Sequence, residues 1–386
     1  MQSKIPTIRK SLISEINDLV EEYGALDLAV KKNDPPYPEE LLNLVRKYLQ
    51  QGTTDVAPLE GILMLREIIS KIYAEKTAYT YDFHKEVTVS ASSQQAAFTV
   101  ISALIREGDE VLVIEPTSML YDPAIILNGG RPIYIKPSAP SFQIDWNEVR
   151  MLVSAKTRMI IINTPNNPSG KMLKEEDMLQ LQRLINGTNI FVLSDETCSD
   201  VVYDEMNHCS VASFEKLRSR SIIISALGSP LNMNSWGVAF CLAPEFLTNE
   251  YRKMQQVQLV AVNTPLQYAL TDYLSKENKF AQLYTVFQGK RNYFNRLMAD
   301  SLYEVIPSEG GCYELIDYSK VSDEDDITFS KRLLTDFGIA TLPISAFYHE
   351  DTKHHLLRVC IAKENEELEK AAEIFLKVPP KRLKNS

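Results

Sequence analysis

Six short apolar runs, each followed by an amphipathic stretch or a turn, constrain the fold of this chain more than any other feature. They are 111–115 (VLVIE), 132–135 (PIYI), 159–163 (MIIIN), 190–195 (IFVLSD), 222–226 (IIISA) and 238–242 (VAFCL). Each is β-branched and apolar at successive positions, so both faces of the strand it forms must be covered. Helical patterns lie around them at 62–74, 94–105 and 175–185, with a long one over 243–275. Strands alternating with helices predict a doubly wound, mostly parallel α/β sheet. After about residue 278 the pattern changes: helical stretches at 281–301 and 328–337 are interleaved with strands at 311–316 and 356–361. This reads as a smaller α+β domain formed by 1–44 with 281–386, beside a large domain over 45–280. In open α/β sheets ligands bind beyond the carboxyl ends of the strands, so the chemistry is expected just after the apolar runs.

Composition narrows the function classes. The net charge of −10 disfavours nucleic acid and anionic membranes as partners. No apolar run reaches the ~18 residues of a membrane span, and the N-terminal residues MQSKIPTIRKSLISEI lack the apolar core of a secretory signal. The five cysteines (Cys198, Cys209, Cys241, Cys312, Cys360) form no CxxC pair, as expected of reduced thiols in a cytoplasm. The His354-His355 pair has no further ligands at metal-like spacing, and Ser229 has neither a GxSxG elbow nor a placeable histidine.

Two segments carry the chemistry. Asn163-Thr164-Pro165-Asn166-Asn167-Pro168-Ser169-Gly170 follows the MIIIN strand, and Ser194-Asp195-Glu196 closes the next one. Taken singly they are a turn and a helix cap. Together, on successive strands, they resemble the NxPxNPTG and SDE segments of class I and II aminotransferases, the fold-type-I enzymes dependent on pyridoxal phosphate (PLP). The resemblance spans most of the chain. Pro58-Leu59-Glu60-Gly61 with Leu65-Arg66, Ser90 to Ala96 at the phosphate turn, Ala346-Phe347-Tyr348, and Leu357 to Ala362 all match in order. The subgroup most resembled is the methionine, glutamine and kynurenine type.

The resemblance implies a role for each matching residue. Asp195 would pair with the pyridine nitrogen of PLP and keep it protonated, the state in which the ring acts as an electron sink. Asn167 would hydrogen-bond the phenolic oxygen of the ring. Ser92, Ser93 and Gln94 would offer amides to the phosphate at a helix N-terminus. Arg358 would grip the substrate carboxylate with its planar fork. A homodimer is also implied.

Other family positions are altered. In the family, S-x-x-K is followed eight residues later by arginine, just after a tryptophan. Aligned on Trp236, the lysine position is Ser229 and the arginine position is Gly237. No choice of gap changes this, since the chain has no lysine between Lys216 and Lys253 and no arginine between Arg220 and Arg252. That lysine anchors the cofactor covalently and moves the proton, neither of which a serine hydroxyl does well at neutral pH. The ring-stacking aromatic falls on Ser118, the tyrosine after the aspartate on Cys198, and the partner-subunit tyrosine on Val56. The glycine near the substrate carboxylate is absent from Leu28-Ala29-Val30, and Lys31 follows. PLP binding is therefore expected to be weak or absent.

Three readings stay open. One is a non-transaminating relative with a pocket for a small anionic or amino-acid-like ligand. Another is an enzyme using PLP or its aminated form without a covalent anchor. The last is a working aminotransferase, amino acid to 2-oxo acid, with a displaced lysine such as Lys31.

Overall fold

The computed structural model describes residues 12–30, 38–51, 55–227, 236–276, 283–350 and 354–381. Its strands are β1 (Leu26–Asp27), β2 (Val87–Ser90), β3 (Glu110–Ile114), β4 (Arg131–Ile135), β5 (Thr157–Asn163), β6 (Phe191–Asp195) and β7 (Ser221–Ala226). They continue with β8 (Ala239–Leu242), β9 (Glu304–Ile306), β10 (Tyr313–Asp317), β11 (Ile339–Ala340), β12 (Leu342–Pro343) and β13 (Leu356–Cys360). Seven of them form the main sheet in the order β2-β8-β7-β6-β5-β3-β4. All neighbours pair in parallel except β8, which runs antiparallel to both β2 and β7. The mostly parallel, doubly wound sheet expected from the apolar runs is present.

Successive side chains of the central strands go to opposite cores. Ile160 and Ile162 of β5, Val192 of β6 and Ile223 of β7 pack on one face. Met159, Ile161, Leu193, Ile222 and Ile224 pack on the other. Two covered faces explain why these strands read as continuous apolar runs rather than as alternating ones.

A second, antiparallel sheet has the order β12-β13-β10-β9, with β1 and β11 paired beside it. The helices Leu283–Met298, Asp326–Phe337 and Asn365–Lys377 share a core with it through Phe294, Phe329, Leu368 and Phe375. The helix Glu39–Gln50 packs on the helix Thr264–Leu274, where Tyr48 donates to Asp272 at 2.6 Å.

One expected element is corrected. The helical stretch 243–275 is two helices, Glu245–Gln255 and Thr264–Leu274. Asn263 caps the second by accepting from the Leu266 amide at 3.1 Å, with proline in its first turn. The Asn-Thr-Pro signal was in the sequence, masked by the apolar residues of the intervening QVQLVAV segment. The short strand β2 went unread because its four residues carry too little pattern to separate from a turn.

Candidate functional site

The carboxyl ends of β3, β5 and β6 lie side by side, and the singled-out residues follow them. Asp195 ends β6 opposite Asn163 of β5. Its backbone carbonyl accepts from the Thr164 amide at 3.0 Å and from Asn163 Nδ2 at 3.0 Å, which fixes the turn to the strand. The side-chain oxygen of Asn163 in turn accepts from the Asn167 amide at 2.8 Å. The turn therefore presents Asn167 over the end of the sheet.

Both oxygens of the Asp195 carboxylate are engaged. Oδ1 accepts from the Thr197 amide (3.1 Å) and hydroxyl (2.6 Å), and Oδ2 accepts from the Tyr121 hydroxyl at 2.7 Å. Burial pushes the Asp195 carboxyl above its usual range, while these donors pull it back. Sequence reasoning missed Tyr121 and Thr197. Thr197 carries a local signal, a hydroxyl two residues after a strand-terminal aspartate. Tyr121 is 74 positions away and carries none.

Arg358 lies on β13 and is 3% exposed. One terminal nitrogen donates to Asn167 Oδ1 at 2.7 Å and the other to the Ala29 carbonyl at 2.7 Å. Its guanidinium carbon stands 3.8 Å from the Tyr313 ring centroid and 4.9 Å from that of Phe347. Its Nε has no partner, and no carboxylate pairs with it among the described residues. A buried guanidinium held only by neutral groups is costly, and an anion brought beside it relieves that cost. The structure thus joins Asn167, Arg358 and the 28–30 segment, three separate sequence signals, in one cluster.

The phosphate-turn residues follow β2. Ser92 caps the helix Ser93–Leu104, its hydroxyl accepting from the Gln95 amide at 3.0 Å. The Ser93 and Gln94 amides belong to the first turn, where N–H groups have no helical acceptor. Gly237, at the family's arginine position, has φ +63°, and a Cβ added there would sit 2.7 Å from the Ala91 carbonyl oxygen. A side-chain-bearing residue is strained in that conformation and collides with the turn.

Ser118 follows β3 and accepts, through Oγ, from the Leu120 amide at 3.4 Å. Cys198 follows β6 and is partly buried. Lys31 and Ser229 lie outside the described residues. The described residues therefore offer PLP a ring edge, at Asp195 and Asn167, but not the phosphate grip that the family's arginine supplies. The group as the family holds it does not fit. Among the described residues no group of three or more His, Cys, Asp or Glu is placed to hold a metal ion, and no helix is long and apolar enough to cross a membrane.

Comparison with known proteins agrees on the fold. The family model "Aminotransferase class I and II" matches residues 25–375. Methionine aminotransferase of Escherichia coli is 34% identical over 373 residues, covering 96% of this chain and 97% of the relative. A solved structure from Escherichia coli, described as identifying a methionine aminotransferase function, superposes with a TM-score of 0.95 at 34% identity, covering 98% and 99% of the two chains. Human kynurenine–oxoglutarate transaminase 1 is 27% identical over 344 residues, covering 80% of this chain and 81% of the relative.

Proposed function

Because the chain belongs to the class I and II aminotransferase family, we propose that it binds a small carboxylate or amino-acid-like molecule at Arg358 without conventional PLP transamination. The observation that carries this reading is the Arg358 guanidinium, buried, unpaired with any described acid and left with an unpartnered Nε. PLP supplies an electron sink to relatives that bind it. This chain has no lysine between Lys216 and Lys253, and a side chain at position 237 would be strained and would meet the Ala91 carbonyl.

The chain's own residues account for the binding. The fork of Arg358 meets the carboxylate, Asn167 orients the guanidinium, and Tyr313 and Phe347 shield it from water, which strengthens the charge pairing. In this reading Asp195, Ser92, Ser93, Gln94, Ser118 and Cys198 line the remainder of the site; Lys31 and Ser229 lie outside the described residues. The name of the Escherichia coli relative makes L-methionine the first probe. Titration calorimetry of L-methionine into the wild type and Arg358→Ala is the test. Binding that disappears in the variant is expected, and equal binding by both proteins overturns the assignment.

A second reading, an active aminotransferase with a displaced lysine or a PLP enzyme without a covalent anchor, draws on the 34% identity to a relative named for that activity. Retention of PLP after desalting would favour it.

The same proposal includes a large domain over 45–280, a small domain of 1–44 with 281–386, a cytoplasmic location and a homodimer. The dimer is supported by Val56, Met64, Val257 and Val260, which are 58–79% exposed. They lie on two segments tied together by the Ala57 amide to Thr264 Oγ1 at 3.0 Å and by Gln255 Nε2 to the Leu59 carbonyl at 2.8 Å. In this reading these exposed apolar side chains belong to the subunit interface. Sedimentation of Val260→Asp at a lower mass than the wild type is the expected result.

A further inference from the structure

Glu115 and His349 pair across the two sheets, apart from the hydrogen bond between Asn167 and Arg358. Glu115 ends the β3 exit on the main sheet and is 2% exposed. His349 follows β12 in the other layer, just beyond Phe347. The His349 amide donates to Glu115 Oε1 at 2.6 Å, and His349 Nδ1 lies 3.0 and 3.1 Å from the two Glu115 carboxylate oxygens. A buried carboxylate that receives both the backbone and the ring of one residue fixes that residue's position and orientation.

The neighbours complete the lock. The imidazole stacks on Tyr134 with centroids 3.4 Å apart and planes 8° apart. Tyr134 donates to Asp122 at 2.7 Å. His349 Nε2 lies 3.1 Å from Glu350, which also pairs with Lys136 at 2.7 Å. The backbones are joined as well, since the Thr117 amide donates to the Phe347 carbonyl at 3.0 Å. On the other side, Asn166 Nδ2 donates to the Pro116 carbonyl at 3.1 Å, tying the same turn to the segment that carries Asn167.

We propose that Glu115 and His349 form a clasp that positions two segments serving the Arg358 site: the Phe347 ring, 4.9 Å from the guanidinium, and the turn at Pro116 to Ser118, which holds Asn166 beside Asn167. The link to ligand binding rests on the carboxylate reading of Arg358. The clasp itself does not, since it fastens the main sheet to the 344–350 segment whatever binds there. Opening it would let Phe347 drift from the guanidinium and Ser118 from the cleft. Glu115 and His349 act through these neighbours, and neither touches the ligand.

The test uses the whole chain with His349→Ala and His349→Gln, the latter retaining a donor for Glu115. Amide hydrogen exchange at Thr117 and His349 is read together with L-methionine affinity by calorimetry. The expected result is faster exchange at both amides and roughly tenfold weaker binding in His349→Ala, in line with a lost charge-assisted hydrogen bond. His349→Gln should recover most of both effects, which a general loss of folding would not allow. If His349→Ala binds L-methionine as the wild type does while Arg358→Ala does not, the clasp is overturned and the Arg358 reading stands. Should the wild type bind no L-methionine, the Arg358 reading falls. Exchange then decides the clasp: acceleration confined to the two amides upholds it, and unchanged exchange overturns it.

Discussion

Two regions that the sequence singles out, Asn167 with Arg358 and the turn at Ala91 to Gln94 with Gly237, differ in the polar groups they hold. On one side, Asn167 and Arg358 are joined at 2.7 Å under the Tyr313 and Phe347 rings, with Asp195 held by Tyr121 and Thr197 at the end of β6. On the other, the turn at Ala91 to Gln94 faces a glycine in a left-handed conformation where the family has an arginine. The first keeps a cation buried with no acid paired to it among the described residues, while in the second a glycine stands at the family's arginine position. A buried, unpaired charge persists at a cost in stability, and the carboxylate binding proposed at Arg358 would relieve that cost.

The largest effect that would break this contrast is at Arg358. Arg358→Ala should weaken L-methionine binding by about 100-fold or more, within the 2–5 kcal/mol typical of removing one partner of a buried charged pair. Its melting temperature in the absence of ligand should hold or rise, because the variant no longer buries an unpaired charge. Loss of both binding and stability would make Arg358 a structural residue instead.

Glu314 sharpens the claim that Arg358 lacks a counter-ion. It faces Val359 in the register of β10 with β13, one residue from Arg358, yet burial pushes its carboxyl up to about 7. A carboxylate paired with the guanidinium would be held down. Because its folded value lies above the ordinary one, its protonated form stabilises the fold at low pH. That contribution is lost as pH rises from about 5 through 7, by up to ~3 kcal/mol from the usual 1.36 kcal/mol per pKa unit. Urea unfolding of Glu314→Gln should show a flatter stability profile over that window. An unchanged slope would assign the titration to another group.

On the altered side, Gly237→Arg should lower stability by about 1–3 kcal/mol, through backbone strain and the contact with Ala91, and should not restore PLP retention. A variant as stable as the wild type that holds PLP after desalting would show that the phosphate half is only one substitution from its family form. The smallest expected effect is at Asn167. Asn167→Ala removes one acceptor from Arg358 and should weaken L-methionine binding about tenfold, in line with one charge-assisted hydrogen bond.

How much could be read in the sequence follows from what each signal depends on. The central strands were legible because burial on both faces leaves a run such as MIIIN that no exposed element tolerates. Asp195, Asn167 and Arg358 were singled out because their segments resemble the aminotransferase motifs in order along the chain. The split of 243–275 was harder, because exposed Val257 and Val260 carry the same letters as a buried helix face. Tyr121 on Asp195 and His349 on Glu115 were not legible, since each contact joins residues far apart in the chain through the packing of whole elements. The altered positions were the reverse case. Gly237 was evident as a departure, but the close approach to Ala91 that makes an arginine untenable there is visible only in three dimensions.

The most direct test of the account is the cofactor itself. The protein is purified with PLP, desalted, and its absorbance recorded before and after borohydride reduction, with mass analysis of the product. The account predicts loss of the cofactor on desalting and no pyridoxyl adduct. A retained yellow band with a covalent adduct on any lysine would contradict it, and the modified residue would be the chain's own anchor.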